Sequence, residues 1–339
     1  MGNVKVSVII PIFNASKYIS KTLSSVINQN FSDYEIIVVD DGSEDDSLDL
    51  AYNILSKSNI SHYIIHQRNS GVSVARNNGM EVAKGDFILF VDDDDYISEN
   101  HISSLYNCCI SNKTDFALSK LLKIDDNKNK LTNMDEYTFV NNKDIISSFD
   151  LIKLELEMKI PFSFVQLIYK SSILKEANLR FNQKAVYGED TEFALKALIH
   201  GKEVSIVKDP TYFYLQHSNS AVSSSRLKRF DFIMILEGIV SYYENNSGVY
   251  SKEDMLDLIN LIITNRIPKA IFGNMLYFFY NDYSYNEVID RMNQLNLFSK
   301  LSKFKRQSSK DLLFSLKLKL FLLSPIIYYK MWKTFKNNI

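Results

Sequence analysis

The 339-residue sequence is poor in the residues that staple or punctuate small folds: two cysteines, five prolines, ten glycines and one tryptophan. Cys108 and Cys109 are adjacent and cannot tie distant segments together, so a reducing cytoplasm is the expected compartment. Their spacing also excludes a zinc framework. Neither sign of charge is in excess. A formal net charge of −1 leaves no global basic footprint for nucleic acid. No stretch of about twenty residues is free of charge, so a spanning helix is not expected. A secretion signal is not expected either, because the N-terminus enters an apolar strand without a basic segment or a cleavage site. N-myristoylation at Gly2 would require Ser or Thr at position 6, where Val6 stands. What is there is a chain 46% hydrophobic and 23% charged, enough for one large domain and a smaller second one.

The apolar residues fall into alternating patterns. Residues 4–10 are β-branched and apolar enough for an interior parallel strand, stopped by Pro11, which has no N–H for a ladder. Ile19, Leu23, Val26 and Ile27 follow at helical spacing, with Ser16 as N-cap. Strands over 34–39, 61–66, 86–91 and 115–119 alternate with helices over 44–57, 71–83 and 98–110. This order implies right-handed βαβ crossovers and a mostly parallel, doubly wound α/β sheet. Ligands of such sheets bind beyond the carboxyl ends of the strands, where two acidic groups fall, Asp40-Asp41 and Asp92 to Asp95.

The second group is the centre of the sequence. An apolar strand runs straight into four consecutive carboxylates, which repel one another and call for a compensating cation. In an extended chain Asp92 and Asp94 would point the same way and Asp93 the opposite way. Oxygen-only ligands favour Mg²⁺ or Mn²⁺.

Four segments now stand in order: Val-Ser-Val-Ile-Ile-Pro-Ile-Phe-Asn (6–14), Val-Val-Asp-Asp-Gly-Ser (38–43), Gly-Val-Ser-Val-Ala-Arg-Asn-Asn-Gly (71–79) and Val-Asp-Asp-Asp-Asp (91–95). Together they closely resemble the successive motifs of family 2 glycosyltransferases with the GT-A fold, over residues 4 to about 120. The resemblance implies that Asp41 accepts a hydrogen bond from the uracil ring. It also implies that Pro11 and Phe13 line the uridine pocket and that Arg76 and Asn77 sit near the nucleotide or its diphosphate. Asp92 and Asp94 match the metal-binding Asp-X-Asp, with Asp93 in the variable slot on the substrate side. Asp95 orients a metal-bound water or caps the next helix. Further on, Tyr187-Gly188-Glu189-Asp190 resembles the Glu-Asp motif of the same family. This makes Asp190 the catalytic base and Glu189 an acceptor-binding neighbour. Residues 211–220 resemble the strand and loop that close the site, but without the usual arginine. His217 stands there as a diphosphate contact or metal ligand, and the Ser-rich stretch 218–225 suits a lid.

Between these motifs, 120–142 reads as a polar turn at the edge of the site, 143–159 and 171–177 as helices and 164–169 as a strand. From residue 226 the pattern is helical, over 226–245, 251–279, 284–295 and 310–335. The last region carries Lys300, Lys303, Lys305, Arg306, Lys310, Lys317, Lys319, Lys330, Lys333 and Lys336 against Asp311 alone, interleaved with leucines and aromatics, which suits the anionic inner face of a cell membrane or a helix pair that forms a dimer or packs into the core.

The expected organisation is therefore a GT-A catalytic domain over 1–222, with a nucleotide-binding half (1–120) and an acceptor-side half (121–222), followed by a helical region over 223–339. The expected activity is inverting transfer of a sugar from a nucleotide-sugar, a UDP-sugar by the motifs, to a glycan or lipid-linked acceptor of a bacterial surface polysaccharide. A rival reading is a non-catalytic module that keeps the fold and binds a glycan or a protein partner. A phosphoacceptor signalling domain would explain the acids but not Asp190 or the C-terminal helices.

Overall fold

A computed structural model describes residues 4–125, 129–131, 140, 142–160, 162–185, 187–216 and 227–336. They divide into two compact units, the first of residues 1–155, 159–184 and 189–223, the second of residues 156–158, 185–188 and 224–339.

The first unit is built on one mixed sheet. Its strands are β1 (Val6–Ile12), β2 (Tyr34–Asp40), β3 (Ser61–His66), β4 (Phe87–Phe90), β5 (Tyr96–Ile97), β6 (Phe116–Ile124), β7 (Ile145–Ser147), β8 (Leu167–Lys170) and β9 (Glu203–Leu215). They lie in the order β3-β2-β1-β4-β8-β6-β9-β5, with β7 also paired to β9. The β3-β2-β1-β4 half is parallel, β8 runs antiparallel between β4 and β6, and β6 and β9 are parallel. Strands β1, β2 and β4 are buried along their whole length, as the continuous apolar runs require of interior parallel strands. Helices α1 (Ile19–Ile27), α2 (Ser47–Leu55), α3 (Val72–Val82) and α4 (His101–Asn112) follow β1, β2, β3 and β5, and α5 (Ser148–Leu156), α6 (Ser171–Glu176) and α7 (Glu189–Leu198) complete the unit.

Several sequence expectations are corrected. Ser16 does not cap α1; Tyr18 occupies that position, and the Ser16 N–H donates to Asp45. The expected helix over 143–159 begins as β7, whose two β-branched isoleucines pair with β9, and turns helical only at Ser148. Residues 164–166 form a 3₁₀ turn before β8, because Ser163 and Gln166 close a reciprocal capping box. Strand β6 continues to Ile124, five residues into the stretch expected as a polar turn. Residues 126–128, 132–139 and 141 of that stretch lie outside the described residues, as do His217 and 218–225.

The second unit is helical, with α8 (Phe232–Asn245), α9 (Lys252–Leu261), α10 (Ile267–Tyr280), α11 (Tyr285–Gln294), α12 (Leu297–Leu301), α13 (Leu312–Leu323) and α14 (Pro325–Lys336). The expected helix over 251–279 is interrupted by a π turn at Ile262–Arg266. Pro268 has no N–H to give the Thr264 carbonyl, which accepts from the Lys305 N–H at 2.8 Å instead. The expected helix over 310–335 is two helices. Pro325 disfavours helical backbone at Ser324, which sits extended at φ −156°.

Candidate active site

The carboxyl ends of β1, β2 and β4 surround a cleft of about 530 Å³, lined by Pro11, Phe13, Asp41, Arg76, Asp92, Asp93, Asp94, Glu189 and Asp190 among others. The volume suits a small-molecule ligand. Of the candidate site residues that the structure describes, Asn77 and Asp95 stand outside this lining and the others are in it.

Asp41 follows the last residue of β2 and is almost fully buried. Its Oδ1 accepts from the Gln67 side chain and the Ser70 N–H, and its Oδ2 from the Gly71 N–H, each at 2.8 Å. Gly71 takes φ +93° to present that N–H at the start of α3. The carboxylate therefore holds the loop before α3 as well as facing the cleft. Its neighbour Asp40 is fully buried and bonds the His66 ring at 2.6 Å.

The acidic run is not extended. Strand β4 stops at Phe90, and Asp92 to Asp95 form a turn in which the Asp95 N–H donates to the Asp92 carbonyl. The expected alternation therefore fails, and Asp92, Asp93 and Asp94 all line the same cleft. Asp93 Oδ2 accepts from the Phe13 N–H at 3.0 Å. Burial, with Asp94 and Asp92 beside it, pushes Asp93 up to about 7. Asp95 neither caps the next helix nor faces the cleft. It is buried, and accepts from the Tyr212 hydroxyl at 2.8 Å and the Leu215 N–H at 2.9 Å, clamping the turn to β9. The same Tyr212 hydroxyl accepts from the Asp92 N–H. Burial lifts the Asp95 carboxyl well above the usual range.

Arg76 lines the cleft and also joins two of its carboxylates. Its guanidinium is buried, bonding Asp92 Oδ1 at 2.8 Å and Glu189 Oε1 at 3.4 Å. It lies over the rings of Phe164 and Phe181, at 4.4 and 5.3 Å. Those rings belong to an aromatic cluster in which Phe181 and Phe193 stack at 4.0 Å. Burial opposes the charge, but Asp92 and Glu189 outweigh it and hold the pKa of Arg76 above its usual value. Asn77 likewise exchanges two hydrogen bonds with the Phe181 backbone, at 2.9 and 2.8 Å, so this pair of residues ties α3 to the segment before α7.

Glu189 and Asp190 open α7, and Asp190 Oδ1 accepts from the Thr191 N–H at 2.7 Å. Burial raises the Asp190 pKa and Asp92 raises it further, while the Thr191 N–H and Arg76 pull it down. Burial also raises Glu189, with Asp190 adding to it and Arg76 opposing it. A buried carboxylate near another carboxylate is what a general base working close to neutrality requires.

Among the described residues no three His, Cys, Asp or Glu side chains converge into a metal cage. The donors nevertheless fit a hard divalent cation. They are oxygen only, Arg76 engages Oδ1 alone of Asp92, and Asp94 lines the open cleft. Such an ion takes its remaining ligands from water and phosphate oxygens.

Phe164 and Tyr214 also line the cleft; Tyr214 falls in the 211–220 strand and loop that the sequence set at the site, whereas Phe164 has no signal beyond its aromaticity. Burial and the nearby Asp95 push the Tyr214 hydroxyl up to about 12, so it stays protonated as a donor.

Residues 7–173 match the model of glycosyl transferase family 2. A poly(ribitol-phosphate) beta-glucosyltransferase of Bacillus spizizenii is 32% identical over 244 residues, which is 70% of this chain but 36% of that protein. The chain thus spans about a third of that relative's length. The poly(ribitol-phosphate) beta-N-acetylglucosaminyltransferase TarP of Staphylococcus aureus is 28% identical over 93% of this chain and 94% of its own. Among solved structures, Staphylococcus aureus TarS 1–349 in complex with UDP-GlcNAc superposes with a TM-score of 0.68 at 22% identity, covering 88% of this chain and 81% of that one, which identifies the GT-A fold.

Proposed function

The chain belongs to glycosyl transferase family 2, and on that premise we propose that it is an inverting, metal-dependent glycosyltransferase. It moves a sugar from a UDP-sugar to a hydroxyl of a bacterial surface polymer or of its lipid-linked precursor. The observation that carries the reading is that Asp190, half-buried and with its pKa raised, lines the same cleft as Asp41 and the Asp92 to Asp94 turn. The relatives named for poly(ribitol-phosphate) glycosylation favour a polyol-phosphate or similar surface polymer as acceptor.

In this reading Asp41 accepts from the base N–H while Pro11 and Phe13 flank the ring. Asp92 and Asp94 would hold Mn²⁺ or Mg²⁺, and the bound ion would supply positive charge beside the diphosphate leaving group. Asp190 takes the proton from the acceptor hydroxyl as its oxygen attacks the anomeric carbon from the face opposite the diphosphate, and the configuration inverts. Glu189 faces the acceptor with Arg76 fixing its carboxylate. Asp93, with Oδ2 on the Phe13 N–H, sets the position of the donor-side loop. A nucleoside diphosphate leaves without protonation, so a second protein acid is not required, unlike in glycoside hydrolysis.

The test is UDP release from UDP-glucose and UDP-N-acetylglucosamine with Mn²⁺, supplied with teichoic-acid-type acceptors. Asp190→Asn should lower turnover by about 10²–10⁴-fold with UDP binding retained, whereas Asp41→Ala should lose UDP binding. Because the pKa of Asp190 is raised, the acid limb of kcat/KM should lie above the ordinary aspartate value. Full turnover in Asp190→Asn would remove the base assignment.

A further inference from the structure

The outer surface of the C-terminal helices is unlike the rest of the second unit. In α13, Leu318 and Phe321 are buried and Phe314 packs on Phe272 at 5.3 Å, which fixes the inward face. At 3.6 residues per turn, Leu312, Leu313, Leu316, Leu320 and Leu323 gather within about 100° of arc on the opposite side. They are 37–83% exposed. Lys319 and Lys317 flank that arc on either edge. Past the break at Ser324, Ile326 and Ile327 continue the exposed apolar surface, and Lys330 and Lys333 are exposed beside them. The inner side of α14 is anchored, with Tyr328 against Phe272 and Tyr329 against Phe279.

We propose that this two-helix face is an interfacial docking surface for an anionic lipid bilayer. Leucines bounded by lysines place apolar side chains at the acyl boundary and ammonium groups at the headgroups. The helices lie on the surface and do not cross it. No helix among the described residues is long and apolar enough to span a membrane, and the twelve residues of α13 reach only about 18 Å. Charge decides between lipid and a second copy of the chain. Residues 312–336 contain no acid, and Lys317, Lys319, Lys330 and Lys333 make no ion pair among the described residues, unlike Lys336, which bonds Asp282. A twofold interface through this face would set the same lysines against one another with nothing to neutralise them, whereas an anionic leaflet supplies the counter-charge.

The experiment is co-sedimentation of the full chain with vesicles of equal parts phosphatidylcholine and phosphatidylglycerol, and with phosphatidylcholine alone, at low and high salt. Two variants accompany it: a quadruple Lys→Gln change at 317, 319, 330 and 333, and Leu316→Gln with Leu320→Gln. All of these sites are exposed, and unchanged melting temperatures verify the fold. The wild type should bind the anionic vesicles in a salt-sensitive manner, with a loss of about fivefold per lysine removed, and the leucine variant should also release. Wild-type protein that stays in the supernatant with anionic vesicles overturns the proposal, as does equal binding by the lysine variant. A self-associating species that ignores vesicles and dissociates in the leucine variant overturns it in favour of a second copy.

Discussion

At the scale of single residues, Arg76 organises the site from an almost fully buried position. It neutralises Asp92 on one side and Glu189 on the other, so a buried cation lies between the carboxylates proposed for the metal and those proposed for the acceptor. Replacing it with methionine leaves the partly buried carboxylates of Asp92 and Glu189 without their cation. The expected loss is about 3–5 kcal/mol, read as a drop in melting temperature of about 10 °C, while Arg76→Lys keeps the charge, loses the fork and falls between. His101 gives a separate, acid-dependent prediction. It is fully buried, its Nδ1 meets the Thr211 hydroxyl at 2.7 Å, and burial pushes its pKa down to about 3. The unfolded chain binds this proton near 6.5 and the folded chain near 3, so its contribution to stability is complete above 6.5 and is lost as pH falls towards 3. His101→Gln should therefore flatten the stability profile in that window by up to about 1.4 kcal/mol per pH unit. Chemical denaturation of both proteins from pH 7 to pH 4 measures it, and parallel curves would remove His101 as the cause.

At the scale of elements, the approach of α3 to β1 places Arg76. Gly79 makes the approach, because a Cβ there would stand 2.5 Å from Ile9 Cγ2. Gly79→Ala forces helix and strand apart despite the better helix propensity of alanine. The expected cost is about 1–3 kcal/mol, with turnover reduced because the guanidinium moves relative to Asp92 and Glu189. A melting temperature equal to or above wild type would show that Ile9 repacks freely. The same scale explains why the acids share one cleft. Asp95 clamps its turn to β9 through Tyr212 and Leu215, so the turn does not extend the strand and the three preceding carboxylates line the cleft.

At the scale of the whole molecule, the two units divide the predictions. The proposed ligand cleft is lined by residues of the first unit, so UDP with Mn²⁺ at about a hundred times Kd should stabilise the native state by about 2.7 kcal/mol. The melting shift should vanish in EDTA and in Asp94→Ala. A shift that survives both would place UDP binding on Asp41 and its neighbours without a metal. The second unit carries the lysine-edged leucine face, so its deletion of charge should change vesicle binding and leave the UDP shift intact.

The sequence by itself determined the parallel half of the sheet and the position of both acidic groups. Continuous apolar runs mark buried strands, and carboxylates at their ends are too costly to occur without a role. It also singled out Glu189 and Asp190, although they lie beyond the region that matches the family model. The tertiary structure alone decided which charges meet. Nothing near Arg76 in the chain indicates that its partners are Asp92 and Glu189; the family resemblance placed it near the nucleotide without naming them. It also decided the curl of the Asp92 to Asp95 turn, since the clamp that bends it comes from Tyr212 and Leu215. Periodicity records what each segment prefers alone, whereas pairing across the sheet depends on long-range packing that no local spacing encodes.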